Sequence, residues 1–380
     1  MTARDSTKTV RGTAWAVAAF NLLIVFEFFY MATPFAAYFY GAYLPGLQAL
    51  NGIPALAWLT SFFLPHFAAT SSTLVNAAPY VGALFVALGS FGFLIGAVQV
   101  YSRKLLKRGA AVGGLYRFVR HPQYAAFILA GAGMLLLWPR FLMIVFFVTM
   151  LFAYHALAWI EERECLRKYG QTYADYRQRT PRFLPFHVPL AGRLSFLSTL
   201  SALPWPVRLA AGVAAYAAAL LLAIEIGFAV QASTHRHLFT HHADNAVYIS
   251  LRPLDKATIQ RIAQTASSDP RVQERLVSAE GNGGRFINYV MPWEWGVTEI
   301  PMNGPRGHAT PDEYDPRKYK VVYTRALMRG NAEARGLDIL SHTIRTEPVA
   351  EAWIDESGQV AQVLGPPDKV YYGTIPVPVF

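Results

Sequence analysis

The sequence predicts an all-α, multi-pass membrane bundle of about five transmembrane helices, followed by a small α+β domain. Of the 380 residues, 53% are hydrophobic and only 15% are charged, well below the roughly 25% of ordinary soluble proteins. Residues 1–230 contain 18 Lys/Arg and 7 Asp/Glu, whereas residues 231–380 contain 16 and 17. The two parts therefore have different surroundings, and the near-neutral second part argues against a nucleic-acid-binding tail.

Five apolar stretches approach or reach the roughly 20 residues that a helix needs to cross a bilayer. They are residues 13–32, 80–100, 124–138, 141–160 and 207–230. The third stretch is short, so we expect its helix to begin near His121, or the segment around it to dip into the membrane. The charge-free segment 34–79 is either an external loop or a re-entrant pair of half-helices around Ile53–Phe67. The predicted domains are residues 1–206, a fifth membrane helix over 207–230, and residues 231–380.

Basic residues orient these helices. They cluster before the first stretch, between the second and third, and between the fourth and fifth, whereas Arg140 is alone on the opposite side. Because cytoplasmic loops carry the excess of Lys and Arg, we predict a cytoplasmic N-terminus in a bacterial inner membrane. Residues 231–380 then form a periplasmic domain. The single cysteine, Cys165, excludes an intrachain disulfide.

Two cytoplasmic segments carry the candidate functional residues. In residues 113–124, two glycines permit a tight turn, and Pro122 suits a first helical position. His121 then lies at a helix cap, where free backbone N–H groups can bind a carboxylate. Glu161 and Glu162 lie where the fourth stretch meets the cytoplasm, about 100° apart on the helix, so at most one faces a given ligand. The short turn at 138–140 makes the third and fourth helices antiparallel neighbours, which brings His121 and Glu161 together.

These motifs resemble the isoprenylcysteine carboxyl methyltransferase-like family, which in turn is similar to membrane phospholipid methyltransferases. The resemblance covers residues 80–185 and depends on several motifs in order. They are Arg120-His121-Pro122-Gln123-Tyr124, Glu161-Glu162, Tyr169-Gly170, Tyr173, Tyr176 and Pro181-Arg182-Phe183-Leu184-Pro185. Ala126 departs from the pattern, because the family often has glycine there, and its methyl group is expected to tighten helix packing.

The resemblance implies transfer of a methyl group from S-adenosylmethionine to a hydrophobic or membrane-dissolved acceptor that enters from the bilayer. Carried over by position, the cofactor-binding residues are Tyr116, His121, Pro122, Tyr124, Glu161, Glu162, Tyr173, Tyr176 and Arg182. The implied catalytic residues are Glu162, Arg182 and Arg120. The positive charges of Arg120 or Arg182 suit the cofactor carboxylate, and a glutamate suits its ammonium or ribose hydroxyls.

Two alternatives remain at this stage. Membrane sterol reductases have a similar Arg-His-Pro motif, and Cys165-Leu166-Arg167-Lys168-Tyr169-Gly170 fits their pattern; they would use NADPH. In the second alternative, the membrane part is a non-catalytic scaffold, and the external domain binds a protein partner. The Glu161-Glu162 pair and the Pro-Arg-Phe-Leu-Pro ending favour the methyltransferase.

The tail changes to alternating, strand-like sequence. We predict strands at Arg285–Val290, Lys318–Thr324, Ala350–Ile354 and Gln359–Val363, a hairpin turn at 356–358, and helices at Asp255–Thr265 and Asn331–Leu337. His237 and His241 would lie one helical turn apart and are weak candidates for a metal site.

Overall fold

The computed structural model describes residues 44–65, 68–106, 111–184, 204–280, 284–297, 300–303, 309–328 and 333–370. The first predicted span, 13–32, lies outside the described residues. In the described ranges, five α-helices precede the tail domain. They are α1 (Leu44–Asn51), α2 (Thr73–Leu105), α3 (Pro122–Leu137), α4 (Phe141–Arg179) and α5 (Trp205–His235).

Three described helices are long and apolar enough to cross a membrane, namely Thr73–Arg103 within α2, α4 and α5. Helix α3 is apolar but shorter, with 16 residues, which at 1.5 Å per residue rise about 24 Å. It begins at Pro122, so the expectation that the third helix starts near His121 is confirmed. A membrane helical region is therefore present, with three candidate spans among the described residues. The count of five spans stays a prediction.

Chain packing divides the protein into two units. The described part of the first lies in residues 83–134 and 146–220. Within it, α2 and α3 approach closely at Gly89, where an added Cβ would lie 2.6 Å from the Ala126 carbonyl oxygen and the Ala130 nitrogen. Gly92 lies opposite Ala126, where an added Cβ would lie 3.6 Å from the Ala126 methyl group. The methyl of Ala126 therefore fits because α2 presents glycines to it.

Helix α4 contains an internal bend at Gly170. This residue adopts φ 54° and ψ −131°, outside the helical region, within the continuous run Phe141–Arg179. No neighbouring atom lies within 4 Å of the position of an added Cβ, so the glycine is needed for its backbone angles and not for space. The bend redirects the polar end of the helix, residues 171–179.

The second unit, residues 41–82, 135–145 and 221–380, contains the tail domain. The domain has a six-stranded sheet of order β1-β2-β3-β4-β5-β6. The strands are β1 (Thr240–His242), β2 (Ala246–Ser250), β3 (Arg285–Pro292), β4 (Tyr319–Met328), β5 (Thr343–Ile354) and β6 (Val360–Leu364). Strands β2 and β3 are parallel and the other neighbours antiparallel. The predicted α+β domain is confirmed as a mixed-sheet domain.

Helices α6 (Lys256–Ser267) and α7 (Pro270–Glu280) form the crossover between β2 and β3. The Asp255 side chain caps α6 by accepting a hydrogen bond from the Thr258 backbone N–H at 2.9 Å, as N-cap residues do. Ile259 and Val272 bury against one face of the sheet. The opposite face is covered by residues that include Leu238, Ile300 and Ile339. Each face therefore has a hydrophobic core.

Two expectations for the tail are wrong. No helix covers the described part of Asn331–Leu337; α8 follows instead at Asp338–His342, after Gly336 with its positive φ of 54°. His237 and His241 are not one helical turn apart, because α5 ends at His235 and His241 lies on β1. By contrast, the predicted hairpin turn is present, with Gly358 at φ 77°.

The charge-free segment has little helix. Beyond α1, its described residues contain a short 3-10 turn at Ala57–Thr60, so no pair of half-helices occupies the described part of 53–67. The segment is bonded within the second unit, where Ala69 N–H donates to the Leu251 carbonyl at 3.1 Å and Ser71 N–H donates to the His237 carbonyl at 2.8 Å. This arrangement favours the loop alternative.

Candidate active site

Backbone hydrogen bonds bring the Arg-His-Pro motif and the Pro-Arg-Phe motif together. Arg120 N–H donates to the Pro181 carbonyl at 2.9 Å, and His121 N–H donates to the Arg182 carbonyl at 3.1 Å. The Arg-His-Pro turn and the Pro-Arg-Phe segment thus lie side by side. The predicted convergence of the ends of α3 and α4 is present, and the residues after the bend at Gly170 join it.

Glu162 lies at the centre of this convergence. Its carboxylate accepts two hydrogen bonds from the Arg182 guanidinium, at 2.9 and 2.8 Å. It lies 3.4 Å from Arg120 Nη1 and 3.2 Å from His121 Nε2. The Glu162 side chain is only 4% exposed, so it is surrounded by cationic groups in a desolvated position, where charge-assisted bonds are strong. It organises the three residues that the Arg-His-Pro and Pro-Arg-Phe motifs supply.

Glu161 has a different environment. Tyr124 Oη donates to its carboxylate at 2.6 Å, and His121 Nδ1 lies 3.3 Å from it. Its side chain remains 34% exposed, in contrast to that of Glu162. The two carboxylates therefore divide as the helical geometry predicts, with Glu162 facing inward and Glu161 more open to a ligand.

His121 links both carboxylates and is itself buried. Burial disfavours the protonated ring, but hydrogen bonds to Glu161 and Glu162, together with their charges, outweigh it and raise the pKa of His121 above its usual value. A raised pKa favours an imidazolium that donates to one carboxylate from each ring nitrogen. The ring also stacks on Tyr124, at a centroid distance of 5.5 Å.

A tight turn positions Tyr116. Gly114 adopts φ 62°, and an added Cβ there would lie 2.2 Å from Gln99 Nε2. Gln99 in turn accepts a hydrogen bond from Leu115 N–H at 3.1 Å. Tyr116 Oη donates to Gln123 Oε1 at 2.8 Å. Burial, followed by the charge of Glu161, raises the pKa of Tyr116 well above its ordinary value, so this phenol remains a hydrogen-bond donor.

The bend at Gly170 places the two remaining tyrosines. Tyr176 Oη donates to the Tyr116 carbonyl at 2.5 Å, which connects the last turns of α4 to the glycine turn. Tyr173 is buried, and its ring centroid lies 5.7 Å from that of Tyr176. Pro122 is the buried first residue of α3. All the residues named for this site from the sequence are thus within one region of the first unit.

Two buried groups test whether a cofactor with a carboxylate would fit. Arg120 Nε and Nη1 are buried and have no hydrogen-bond partner among the described residues. Burial lowers the pKa of Arg120, although the charge of Glu162 opposes this. Gln123 Nε2 is likewise buried without a hydrogen-bond partner in the described chain. Leaving such donors unsatisfied is costly, so a ligand carboxylate placed here would supply missing acceptors.

Sequence reasoning missed two contributors. Gln99 and Gln123 hold the glycine turn and Tyr116, and a signal existed for both, because each is a polar residue in or beside a strongly apolar stretch. His155, which the sequence places about two turns inside the fourth apolar stretch as a packed histidine or a contact of a substrate channel, also lies beside the site. Its Nε2 atom lies 3.3 Å from Arg182 Nη1, and its side chain is exposed on the apolar half of α4.

The candidate metal ligands are elsewhere. His237 Nδ1 lies 3.1 Å from the Ser71 hydroxyl, and the His241 ring lies 6.1 Å from that of Tyr248. In the part of the chain that the structure describes, no group of three or more His, Cys, Asp or Glu side chains is arranged to hold a metal ion.

Comparison with known proteins identifies the region that carries the site. No curated protein and no solved structure gave a match. The model of the phospholipid methyltransferase family matches residues 80–172, which include the glycine turn, the Arg-His-Pro motif, both glutamates and the bend. This segment is therefore similar to the phospholipid methyltransferase family, and the resemblance predicted from the motifs is confirmed over these residues.

Proposed function

We propose that the chain transfers a methyl group from S-adenosylmethionine to a hydrophobic acceptor dissolved in the membrane. The family match supports methyl transfer in a membrane. The observation that carries the proposal is the binding of Glu162 by Arg120, His121 and Arg182, which assembles two motifs beside the start of α3 and the polar part of α4.

The side chains suit the cofactor's charges. Arg120, whose buried Nε has no hydrogen-bond partner among the described residues, would hold the carboxylate, and the more exposed Glu161 would hold the ammonium or ribose hydroxyls. Tyr116, Tyr173 and Tyr176 supply aromatic surface for the adenine. When bound, the cofactor supplies an electrophilic methyl group on a sulfonium. The protein's contribution is to align that methyl group with the acceptor, because methyl transfer depends on positioning.

The acceptor would approach beside His155. This residue lies seven positions before Glu162 in α4, about 10 Å along the helix, and is exposed on its apolar half. Arg182 spans the gap, since it bonds Glu162 and also lies near His155. Arg182 thus connects the proposed cofactor side to the lipid side, which suits a residue that positions the reacting groups.

Calorimetry on the purified protein in lipid nanodiscs tests the proposal. We expect S-adenosylmethionine to bind. Glu162→Gln should weaken binding about tenfold or more, because removing a buried charge leaves Arg120 and Arg182 without their common partner. Glu164→Gln is the matched control, since Glu164 is on the same helix, is 69% exposed and pairs only with Arg167 among the described residues.

A change of less than about twofold is expected for the control, because exposed ion pairs contribute little. Transfer of labelled methyl groups into the lipid extract would then identify the acceptor class. Absence of S-adenosylmethionine binding, or binding of NADPH in its place, would refute the proposal and favour the reductase alternative.

A further inference from the structure

The tail domain contains a cavity of about 110 Å³ on the side of the sheet formed by β3, β4 and β5. Its walls are mainly indole rings and aliphatic side chains, with one buried amine. The residues that matter for recognition are Trp293, Trp295, Met302, Asn303, Lys320 and Trp353. Small-molecule sites commonly combine such apolar walls with a few polar groups. This cavity is separate from the residues discussed above for methyl transfer.

Lys320 is the buried cation of the cavity, whose described lining also contains the polar residues Glu294, Asn303 and Lys369. Lys320 is only 3% exposed, and its ammonium makes no hydrogen bond or ion pair with any described residue. Its Nζ lies over the face of the Trp353 ring, 5.0 Å from the centroid. An ammonium without a hydrogen-bond acceptor is costly in such an apolar surrounding, so an acceptor supplied by a ligand would be favourable.

The neighbouring carboxylate does not satisfy this donor. Glu351 is 1% exposed and accepts from Trp353 Nε1 at 2.7 Å, from Asn303 N–H at 2.8 Å and from Asn303 Nδ2 at 3.2 Å. Its two oxygens are therefore already occupied by three donors. The indole N–H groups are also used, because Trp293 donates to the Tyr319 carbonyl and Trp295 to the Pro311 carbonyl. The ammonium of Lys320 therefore remains available to a ligand, whereas the indole N–H groups of these tryptophans already have acceptors.

The charge pattern argues against a cationic ligand. Aromatic walls can bind ammonium groups, but here the protein's own cations already lie on the rings. Lys320 lies over Trp353, Lys318 over Trp293 and Arg252 over Trp295, at 5.0, 5.5 and 5.3 Å. Glu294 is the one carboxylate among the described lining residues, against the two lysines Lys320 and Lys369. An anion that reaches Lys320 is therefore favoured over a second cation.

We propose that this cavity binds a small planar carboxylate, with the carboxylate on Lys320 Nζ and the flat body against the rings of Trp293 and Trp353. The two indoles are 5.2 Å apart between centroids and inclined at 57°, so they form a corner and not a parallel stack. An apolar cavity of about 150 Å³ holds benzene. The enclosed part of the ligand is therefore no larger than one six-membered ring.

Benzoate is the smallest probe with both features. We expect calorimetry on the full-length protein in nanodiscs to show benzoate binding, and Lys320→Met to weaken it about tenfold or more, as loss of a charged hydrogen bond predicts. Lys369→Met is the control, because Lys369 lines the same cavity but is exposed. It should change benzoate affinity by less than about twofold.

A second measurement does not depend on the variant folding. In the wild-type protein, calorimetry should show that benzyl alcohol, which has the ring but no carboxylate, binds at least about tenfold more weakly than benzoate. Failure of benzoate to bind, equal affinity in Lys320→Met, or equal affinity of the two ligands would overturn the proposal. Binding of choline in place of benzoate would also overturn it and would indicate a cation site.

Discussion

At the residue scale, the candidate site is organised by a buried carboxylate among three cationic groups. Glu162 is nearly inaccessible, whereas Glu161, next to it in sequence, keeps a third of its side chain exposed. A buried ion cluster of this kind gives little net stability, but loss of one member is costly, about 3–5 kcal/mol. We infer that Glu162 positions Arg120 and Arg182, and that Glu161 is better placed to contact a cofactor.

His121 makes this site sensitive to pH. Because its folded pKa is raised by Glu161 and Glu162 against the effect of burial, protonated His121 stabilises the fold fully below about pH 6.5, the unfolded value. That contribution is lost as the pH rises through the folded pKa. Thermal unfolding of wild type and His121→Gln should therefore differ most at pH 6 and progressively less toward pH 9.

The control for this pH series is His342→Gln, a half-buried histidine at the end of α8 and outside the candidate site. It shows how much of any difference comes from replacing a histidine elsewhere in the chain. A constant difference in unfolding temperature between wild type and His121→Gln over the whole range would contradict the idea that Glu161 and Glu162 keep His121 protonated.

The sequence was sufficient to predict that His121 and the glutamates meet, because a short hairpin turn forces the ends of two helices together. It could not predict which glutamate is buried. That outcome depends on the rotation of α4 about its axis, which is decided by contacts such as Gly131 against Met150 and Phe147. Nor could it predict the pairing of Arg120 and His121 with residues 181–182, since that depends on the bend at Gly170.

At the element scale, the bend at Gly170 determines where the last part of α4 runs. Gly170→Ala should destabilise the protein by about 1–3 kcal/mol, because a residue with a Cβ is strained at φ 54°. It should also weaken S-adenosylmethionine binding, since a straightened helix would displace Tyr173 and Tyr176. Thermal unfolding and calorimetry on the same sample measure both effects.

Gly212→Ala is a matched control for this substitution. Neither glycine has an atom within 4 Å of an added Cβ, but Gly212 lies in α5 without a positive φ. The control should stabilise its helix by about 0.5–1 kcal/mol and leave cofactor binding unchanged. Equal effects of the two substitutions would contradict a role for the bend.

Element boundaries were predicted with uneven success. Apolar length located α2, α4 and α5, and alternating sequence located β3 to β6. The strands β1 and β2 and the helix α7 were not anticipated. For β2 the reason is that it is buried on both faces and therefore lacks alternation of apolar and polar residues. Asn331–Leu337 has helix-forming composition, but Gly336 with its positive φ interrupts the described part of it.

At the scale of the whole molecule, the charge distribution predicts which parts lie on each side of the membrane. A Cys165→Ser background allows single cysteines to report this. Val277→Cys on α7, at a position that is 69% exposed, should react with a membrane-impermeant maleimide in intact bacterial spheroplasts. Arg167→Cys on α4, where the side chain is 82% exposed, should react only after lysis.

The two positions control for each other, because both are highly exposed on helices and differ only in the predicted side. If Arg167→Cys were labelled in intact spheroplasts and Val277→Cys were not, the orientation would be opposite to the predicted one. Equal labelling of both cysteines would show that no membrane separates the two positions.

The two backbone hydrogen bonds from Arg120 and His121 to residues 181–182 have an evolutionary consequence. Because of them, one continuous stretch of chain contains both the charged groups of the site and the contacts that hold them together. A recombination event that replaced everything after residue 184 would leave these contacts intact. We therefore expect that a segment of this kind can be joined to unrelated C-terminal domains, and that the tail domain can change independently of the site.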